Sequence, residues 1–288
     1  MAETGAATGD RIEPGLHLVS VPIGAARDIT LRALDVLRGA DVLAAEDTRS
    51  LRRLMAIHGV DLGGRPLLPY HDHNGPAVRP RLLAALREGQ SVAYASEAGT
   101  PLIADPGFAL GVAAQAEGLP VRAAPGASAV LAALCVAGLS TDRFLFAGFL
   151  PPKSGARRTA LKEVAEVPAT LVFYESPRRL GAMLSDASEV LGPRDAAVCR
   201  ELTKRYEDVV RGPLDVLAER YADEDPKGEI VVVIDRGAPA ALSEEDLMDL
   251  LAVEMETVSL KTAVKGVSEK YGVGRNTVYE AALKVKRR

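Results

Sequence analysis

Short apolar runs recur along the chain, each ending in small or charged residues and most followed by a helical pattern. Leu16-His17-Leu18-Val19-Ser20-Val21 reads as a strand stopped at Pro22-Ile23-Gly24. Thr30 then stands where a helix cap belongs, because Leu31, Leu34 and Leu37 recur on one helical face. Val42-Leu43-Ala44-Ala45 is a second short strand ending at Glu46-Asp47-Thr48-Arg49. Arg79 to Glu88 reads as a helix closed by Gly89, and Ser91-Val92-Ala93-Tyr94-Ala95 as a buried strand. A helix from about Gly107 to Glu117 and a strand Val121-Arg122-Ala123-Ala124 follow, the latter ending at Pro125-Gly126-Ala127-Ser128. Strand–helix alternation of this kind predicts a mostly parallel sheet with helices on both faces.

The pattern changes between Gly138 and Arg143. Beyond it lie longer β-rich runs: Phe144 to Leu150, Thr170 to Tyr174, Ala196 to Arg200 and Ile230 to Ile234. They predict a second α/β unit, with Pro226 and Pro239 in breaks and a linker from Gly237 to Leu242. Ser243 to Arg288 reads as helical, with Gly272 punctuating two short helices and Arg275-Asn276-Thr277 starting the second. That spacing fits either a helix-turn-helix or a helical hairpin packed on the body. The expected organisation is an α/β chain with a disordered tail over 1–14, domains over 15–138 and 143–238, and a small helical region over 239–288.

Composition adds little to this picture, and charge adds more. The chain of 288 residues is 48% hydrophobic and 26% charged, ordinary for a globular protein. It has no apolar run of about 18 residues, so no membrane span is expected. Its N-terminus lacks the basic start and apolar stretch of a signal peptide, which points to a cytoplasmic protein. Cys135 and Cys199 lie in apolar surroundings and read as reduced core thiols. From Leu260 onward, eight basic residues against two acids give +6, leaving −10 for the remainder of a chain whose net charge is −4. A basic tail on an acidic body points to a polyanionic partner.

The candidate chemistry sits in the turns. No Gly-x-x-x-x-Gly-Lys-Ser/Thr occurs, and the first strand does not lead into Gly-x-Gly-x-x-Gly, which argues against a P-loop nucleotidase and an ordinary dinucleotide fold. Instead, Ser96-Glu97-Ala98-Gly99-Thr100-Pro101-Leu102-Ile103-Ala104-Asp105-Pro106-Gly107 follows a strand with two glycines and two prolines, so a ligand can lie against its main chain. Six such turns, at Pro22, Glu46, Ser96, Pro125, Phe173-Tyr174-Glu175-Ser176-Pro177-Arg178-Arg179 and Arg200-Glu201-Leu202-Thr203-Lys204, predict a cleft shared by two domains. Glu46, Asp47, Glu175 and Glu201 are the carboxylates there; Lys204 and Arg200 are cations able to stabilise an oxyanion. His71 and His73 flank Asp72 without a third ligand and read as a polar loop, so no metal is expected.

Pro22-Ile23-Gly24, Ala45-Glu46-Asp47-Thr48-Arg49, the Ser96–Gly107 turn, Pro125-Gly126-x-Ser128-Ala129, Phe173-Tyr174-Glu175-Ser176-Pro177 and Arg200-Glu201-Leu202-Thr203-Lys204 together resemble the ribosomal small-subunit RNA ribose 2′-O-methyltransferase I family. That family belongs to the tetrapyrrole-methylase-like class of S-adenosylmethionine enzymes. The resemblance runs from about Gly15 to Arg236. It departs at Glu97, where the family usually has Asp, at Arg178, where His is common, and at Gly75, where Glu is usual.

The resemblance implies two α/β domains of the tetrapyrrole methylase type, a homodimer, and S-adenosylmethionine in the interdomain cleft. It implies methylation of a cytidine 2′-hydroxyl in small-subunit (16S) ribosomal RNA, with ribosomal RNA or the small subunit as partner. On this reading Glu97, Ala98, Gly99, Thr100 and Ile103 line the donor pocket, Ser128 and Ala129 oppose them, and Pro22 and Gly24 contact from below. Glu46 and Lys204 are expected nearest the hydroxyl, with Asp47 and Glu201 beside them. Arg49, Lys153, Arg178, Arg179 and Arg200 are the RNA candidates, with Arg157 and Arg158 as further cations. A methylase of a tetrapyrrole or other small molecule on the same fold is the alternative.

Overall fold

The computed structural model describes residues 12–71, 73–103, 107–224, 226–237, 244–271 and 273–286. Most of the expected tail, Asp72, 104–106 of the glycine-rich turn, most of the expected linker, and Gly272 lie outside the described residues.

The first sheet is wholly parallel. Its strands β1 (Gly15–Val19), β2 (Val42–Ala45), β3 (Leu67–Pro69), β4 (Ser91–Ala95) and β5 (Val121–Ala124) run in the order β3-β2-β4-β1-β5. β4 is buried along its whole length, which is why it reads as a continuous apolar run. Its alternate residues serve opposite faces. Ala93 and Ala95 pack with Leu37 of α1 (Leu31–Gly39) and with Leu51 and Met55 of α2 (Thr48–Ile57). Val92 and Tyr94 pack with Leu82 and Leu86 of α3 (Gly75–Arg87) and Leu110 of α4 (Phe108–Ala116). Thr30 does cap α1, its hydroxyl accepting from the Ala33 N–H at 3.1 Å. The helix expected from Arg79 begins four residues earlier, because Pro76 fills a first-turn position where no intrahelical N–H is needed.

The second sheet is mixed. It comprises β6 (Phe144–Phe149), β7 (Thr170–Glu175), β8 (Asp195–Arg200), β9 (Asp208–Pro213) and β10 (Ile230–Ile234), in the order β6-β7-β10-β8-β9. β10 is central and antiparallel to both neighbours. One face carries α6 (Ser154–Ala165), α7 (Leu180–Leu191) and α8 (Leu214–Arg220), with Leu161, Leu184 and Leu217 packed on Leu171, Phe173 and Val232. The other carries α5 (Ala129–Ala137), although α5 follows directly from the first sheet: Val130, Ala133 and Leu134 pack on Val172, Ala197 and Val233. β3 and β9 were not expected from the pattern. One is three residues long and ends in proline; the other is an edge strand with no fully buried residue.

The C-terminal region folds as three helices, α9 (Glu244–Thr257), α10 (Leu260–Tyr271) and α11 (Arg275–Val285), around Leu247, Leu251, Val267, Val278 and Ala282. The last helix starts at the expected Arg275. No described helix is long and apolar enough to cross a membrane.

Candidate methyl-donor cleft

The strand register puts the motif turns on two facing edges. In the parallel sheet, every strand ends on the same side, so Ser20, Glu46, Ser96 and Pro125 share one edge. The connections from β1 and β4 pack their helices on opposite faces of the sheet, the place where such sheets bind ligands. In the second sheet, the ends of β7 and β8 both pair with Ile230, the start of β10.

The glycine-rich turn is fastened by its own small side chains. Val21 and Gly99 exchange backbone hydrogen bonds, Val21 N–H to Gly99 C=O at 2.9 Å and the reverse at 3.1 Å. The Thr100 hydroxyl donates to the Ala127 carbonyl at 2.9 Å and accepts from Ser20 at 3.2 Å, which ties three strand ends together. Ser96, nearly inaccessible, donates to the carbonyls of Ala98 and Gly99. Gly99 holds φ +73°, a left-handed conformation that side chains resist, and a Cβ there would meet Ile23 Cγ2 at 3.3 Å.

A cavity of about 370 Å³ lies between the two sheet edges, within the roughly 300–1,000 Å³ typical of small-molecule sites. From the first unit it takes Ile23, Ala98, Gly99, Thr100 and Ile103; from the start of α5, Ser128 and Ala129. The second sheet adds Phe149, Tyr174, Glu175, Ser176 and Pro177, and Cys199 and Leu202 from the β8 side. Gly228 to Val231 complete it. The walls are mainly apolar, and the Cys199 thiol, pushed up to about 11 by burial, stays protonated and acts as packing. Six of the nine expected donor residues line the cavity. Pro22, Gly24 and Glu97 do not, while their neighbours Ile23 and Ala98 do.

The charged residues stand around this cavity. The Glu46 carboxylate accepts the Glu97 backbone N–H at 3.1 Å and does not line the cavity wall. Asp47 caps α2, accepting from the Arg49 N–H at 2.8 Å, and pairs with the Arg49 guanidinium at 3.2 Å. The Arg49 side-chain bond, more than any other influence, holds the Asp47 carboxyl below its ordinary value. Glu175 is buried and accepts from the Ser176 N–H at 2.7 Å and from Arg179 Nη2 at 3.2 Å.

Across the cleft, Glu201 and Thr203 adopt positive φ, 50° and 64°. Thr203 Oγ1 thereby receives the Ala25 N–H at 3.0 Å, a bond between the two units. Gly24 must approach closely here, since a Cβ would lie 2.5 Å from Lys204 Cγ and 2.6 Å from Thr203 Oγ1. Lys204 Nζ donates to Glu201 and to Glu229, 2.9 Å each. Burial alone would lower the Lys204 pKa, but these two carboxylates outweigh it and raise it; the Lys204 bond holds Glu201 low. The ammonium's stabilisation is present below its ordinary range and lost as pH rises through the raised value. The carboxylate's is present above its ordinary range and lost as pH falls through the lowered one. Both groups are therefore charged across neutral pH.

Of the RNA candidates, Arg49, Lys153 and Arg178 are exposed. Arg200 Nη1 donates to the Lys227 carbonyl at 3.2 Å. Arg179 is turned inward to Glu175 and to the Leu150 carbonyl. Arg157 is buried against Asp186 at 2.6 Å, and Arg158 reaches the same carboxylate at 2.6 Å. Gly228, Glu229, Ile230, Phe149 and Cys199 line the cavity without having been singled out for it. The only signal for the first three was their place at the start of an apolar run, on a strand whose direction the sequence does not state.

Residues 15–218 match the family model described as Tetrapyrrole (Corrin/Porphyrin) Methylases, and residues 241–286 match the RsmI C-terminal HTH domain. Ribosomal RNA small subunit methyltransferase I of Mesorhizobium japonicum is 46% identical over 277 residues, 96% of this chain and 93% of that one. The Escherichia coli O157:H7 protein of the same name is 42% identical over 96% of this chain and 97% of its own. Among solved structures, the methyltransferase CobJ superposes with a TM-score of 0.59 at 20% identity, covering 80% of this chain and 97% of that one. Uroporphyrin-III C-methyl transferase from Thermus thermophilus, complexed with S-adenosyl homocysteine, gives 0.53 at 21% identity over 76% and 96%. With a family model over most of its length and close relatives over nearly all of it, the chain belongs to the tetrapyrrole methylase family, in the branch whose members are named ribosomal RNA small subunit methyltransferase I.

Proposed function

We propose that the protein transfers the methyl group of S-adenosylmethionine to a cytidine ribose 2′-hydroxyl of small-subunit ribosomal RNA, acting in the cytoplasm as a homodimer. The observation that carries this reading is the cavity, of donor size and apolar, in a chain 46% identical to a ribosomal RNA small subunit methyltransferase I. The division into units over 15–138, 143–238 and 239–288 is part of the same proposal, with α5 bridging the first two.

The main chain and small side chains of Ala98, Gly99, Thr100, Ser128 and Ala129, with Ile103, hold the adenosyl part against apolar walls, while Pro22, Gly24 and Glu97 shape the cavity from behind. The donor supplies a sulfonium-bound methyl carbon for in-line displacement by the ribose oxygen. Alignment of the two is the chief contribution of such a cleft. Lys204, kept cationic by Glu201 and Glu229, provides a fixed positive charge for the attacking oxygen, whose proton passes to solvent water at the cleft as the oxygen–methyl bond forms and the sulfonium–methyl bond breaks. Asp47 holds α2 and Arg49 at the mouth, and Glu46 is a positioning residue that fastens the donor turn through the Glu97 amide. RNA is held by Arg49, Lys153, Arg178 and Arg200 at the rim, with Arg179 acting through Glu175.

Transfer of labelled methyl from S-adenosylmethionine to small subunits, free small-subunit RNA and a free tetrapyrrole tests the reading. Label is expected on RNA in one of the first two; label on the tetrapyrrole alone would overturn it. The Glu46 assignment has its own test. Glu46→Gln keeps an acceptor for the amide and is expected to retain activity within about threefold. Glu46→Ala, which loses about 1.5–3 kcal/mol of charged hydrogen bond, is expected to raise the donor KM more than tenfold. Equal loss in both variants would instead make Glu46 the base.

A further inference from the structure

Among the described residues, Arg52 and Arg53 on the outer face of α2 make no hydrogen bond or ion pair through their side chains. Leu51 and Met55 turn inward, while Arg49, Arg52 and Arg53 stand exposed at i, i+3 and i+4, a single stripe over the first two turns. The helix, Thr-Arg-Ser-Leu-Arg-Arg-Leu-Met-Ala-Ile, contains no acid. Among the described residues no carboxylate pairs with Arg52 or Arg53, and Arg49 has only Asp47. Three like charges on adjoining positions repel each other, and at a helix N-terminus they also oppose the macrodipole. Local energetics therefore disfavour the arrangement, in a chain whose net charge is −4. A polyanion laid along the stripe would reverse both terms.

The stripe also begins beside the cleft, at Arg49. α2 starts two residues after Glu46, whose carboxylate holds the donor turn at Glu97. Arg49 is held above its ordinary value first by its Asp47 bond and further by the charge of Glu97. All three side chains are arginines, whose fork matches phosphate oxygens two at a time. Phosphate contacts position a nucleic acid without reading its sequence, which is what a cleft needs in order to present one ribose.

Building on the proposed RNA methylation, we infer that the outer face of α2, through Arg49, Arg52 and Arg53, is a docking surface for the phosphate backbone of ribosomal RNA flanking the methylated nucleotide. The test is R52Q/R53Q, with R52K/R53K as the charge-preserving control, in filter binding of small-subunit RNA over a salt series. Donor affinity is measured alongside by calorimetry.

The Gln variant is expected to make the slope of log Kobs against log salt shallower by about 1.4–1.8, at roughly 0.7–0.9 for each of the two lost phosphate contacts. The Lys variant is expected to keep most of the slope, and both to bind donor as the parent does. An unchanged slope in R52Q/R53Q overturns the inference. So does a parallel loss of donor affinity, which would make the face structural. If the parent protein methylates no small-subunit RNA yet the Gln variant still loses slope, the methylation reading falls and the docking surface stands.

Discussion

Gly99→Val is expected to weaken binding of S-adenosylmethionine or its demethylated product by at least about 100-fold in calorimetry, equivalent to roughly 2.7 kcal/mol. Three effects combine. The native φ of +73° costs a residue with a Cβ about 1–2 kcal/mol, and a β-branched one more. The new Cβ would press on Ile23 Cγ2 at 3.3 Å, and Ile23 is itself a cavity wall. Relief of either strain moves the turn and breaks the paired hydrogen bonds between Val21 and Gly99. Gly99→Ala should fall between the two proteins. Valine with parental affinity would remove the donor from this turn.

Asp186→Ala is expected to cost about 3–5 kcal/mol of stability in urea unfolding, because it strands a buried guanidinium. The Arg157 and Asp186 side chains are each only 5% exposed. The carboxylate accepts from Arg157 Nε and Arg158 Nε at 2.6 Å each and from Ser154 Oγ at 3.0 Å. Without it, Arg157 keeps, among the described residues, only the Pro152 carbonyl at 3.2 Å. The double variant R157M/D186L should recover much of the loss, since an apolar pair leaves no stranded charge. Burial would raise the Asp186 pKa, but the bonds from Arg158, Arg157 and Ser154 outweigh it and hold the group low. The stabilisation is therefore complete above the ordinary carboxylate range and is lost as pH falls through the lowered native value. The deficit of Asp186→Ala should shrink in acid. A deficit under 1 kcal/mol at neutral pH would show that the cluster contributes little.

This cluster also shows where the sequence is silent. Arg157 and Arg158 read as free cations because Asp186 lies 29 and 28 residues away, and only the packing of α6 on α7 brings them together. The first sheet was legible for the opposite reason. In a parallel sheet every strand delivers its C-terminal end to the same edge, so apolar runs and their following turns locate the site directly, as they did for Ala98–Thr100 and Ser128. The second sheet breaks that rule. β10 runs the other way, so its beginning joins the cavity, and Gly228 and Glu229 precede a strand where the other motif turns follow one. Side-chain employment was equally hidden. Glu46 and Lys204 look alike as candidate acid–base groups, yet one receives a backbone amide and the other bridges two carboxylates.

The central place of β10 also has a consequence for how the protein is made. Among the described strands, the last to leave the ribosome is the one on which β7 and β8 both pair; without it the sheet is two separate pairs, β6-β7 and β8-β9. The floor of the cavity, Gly228 to Val231, arrives with it. A nascent chain shorter than about 230 residues thus has a finished parallel sheet but no completed cavity. Donor capture would then wait on the emergence of one late segment.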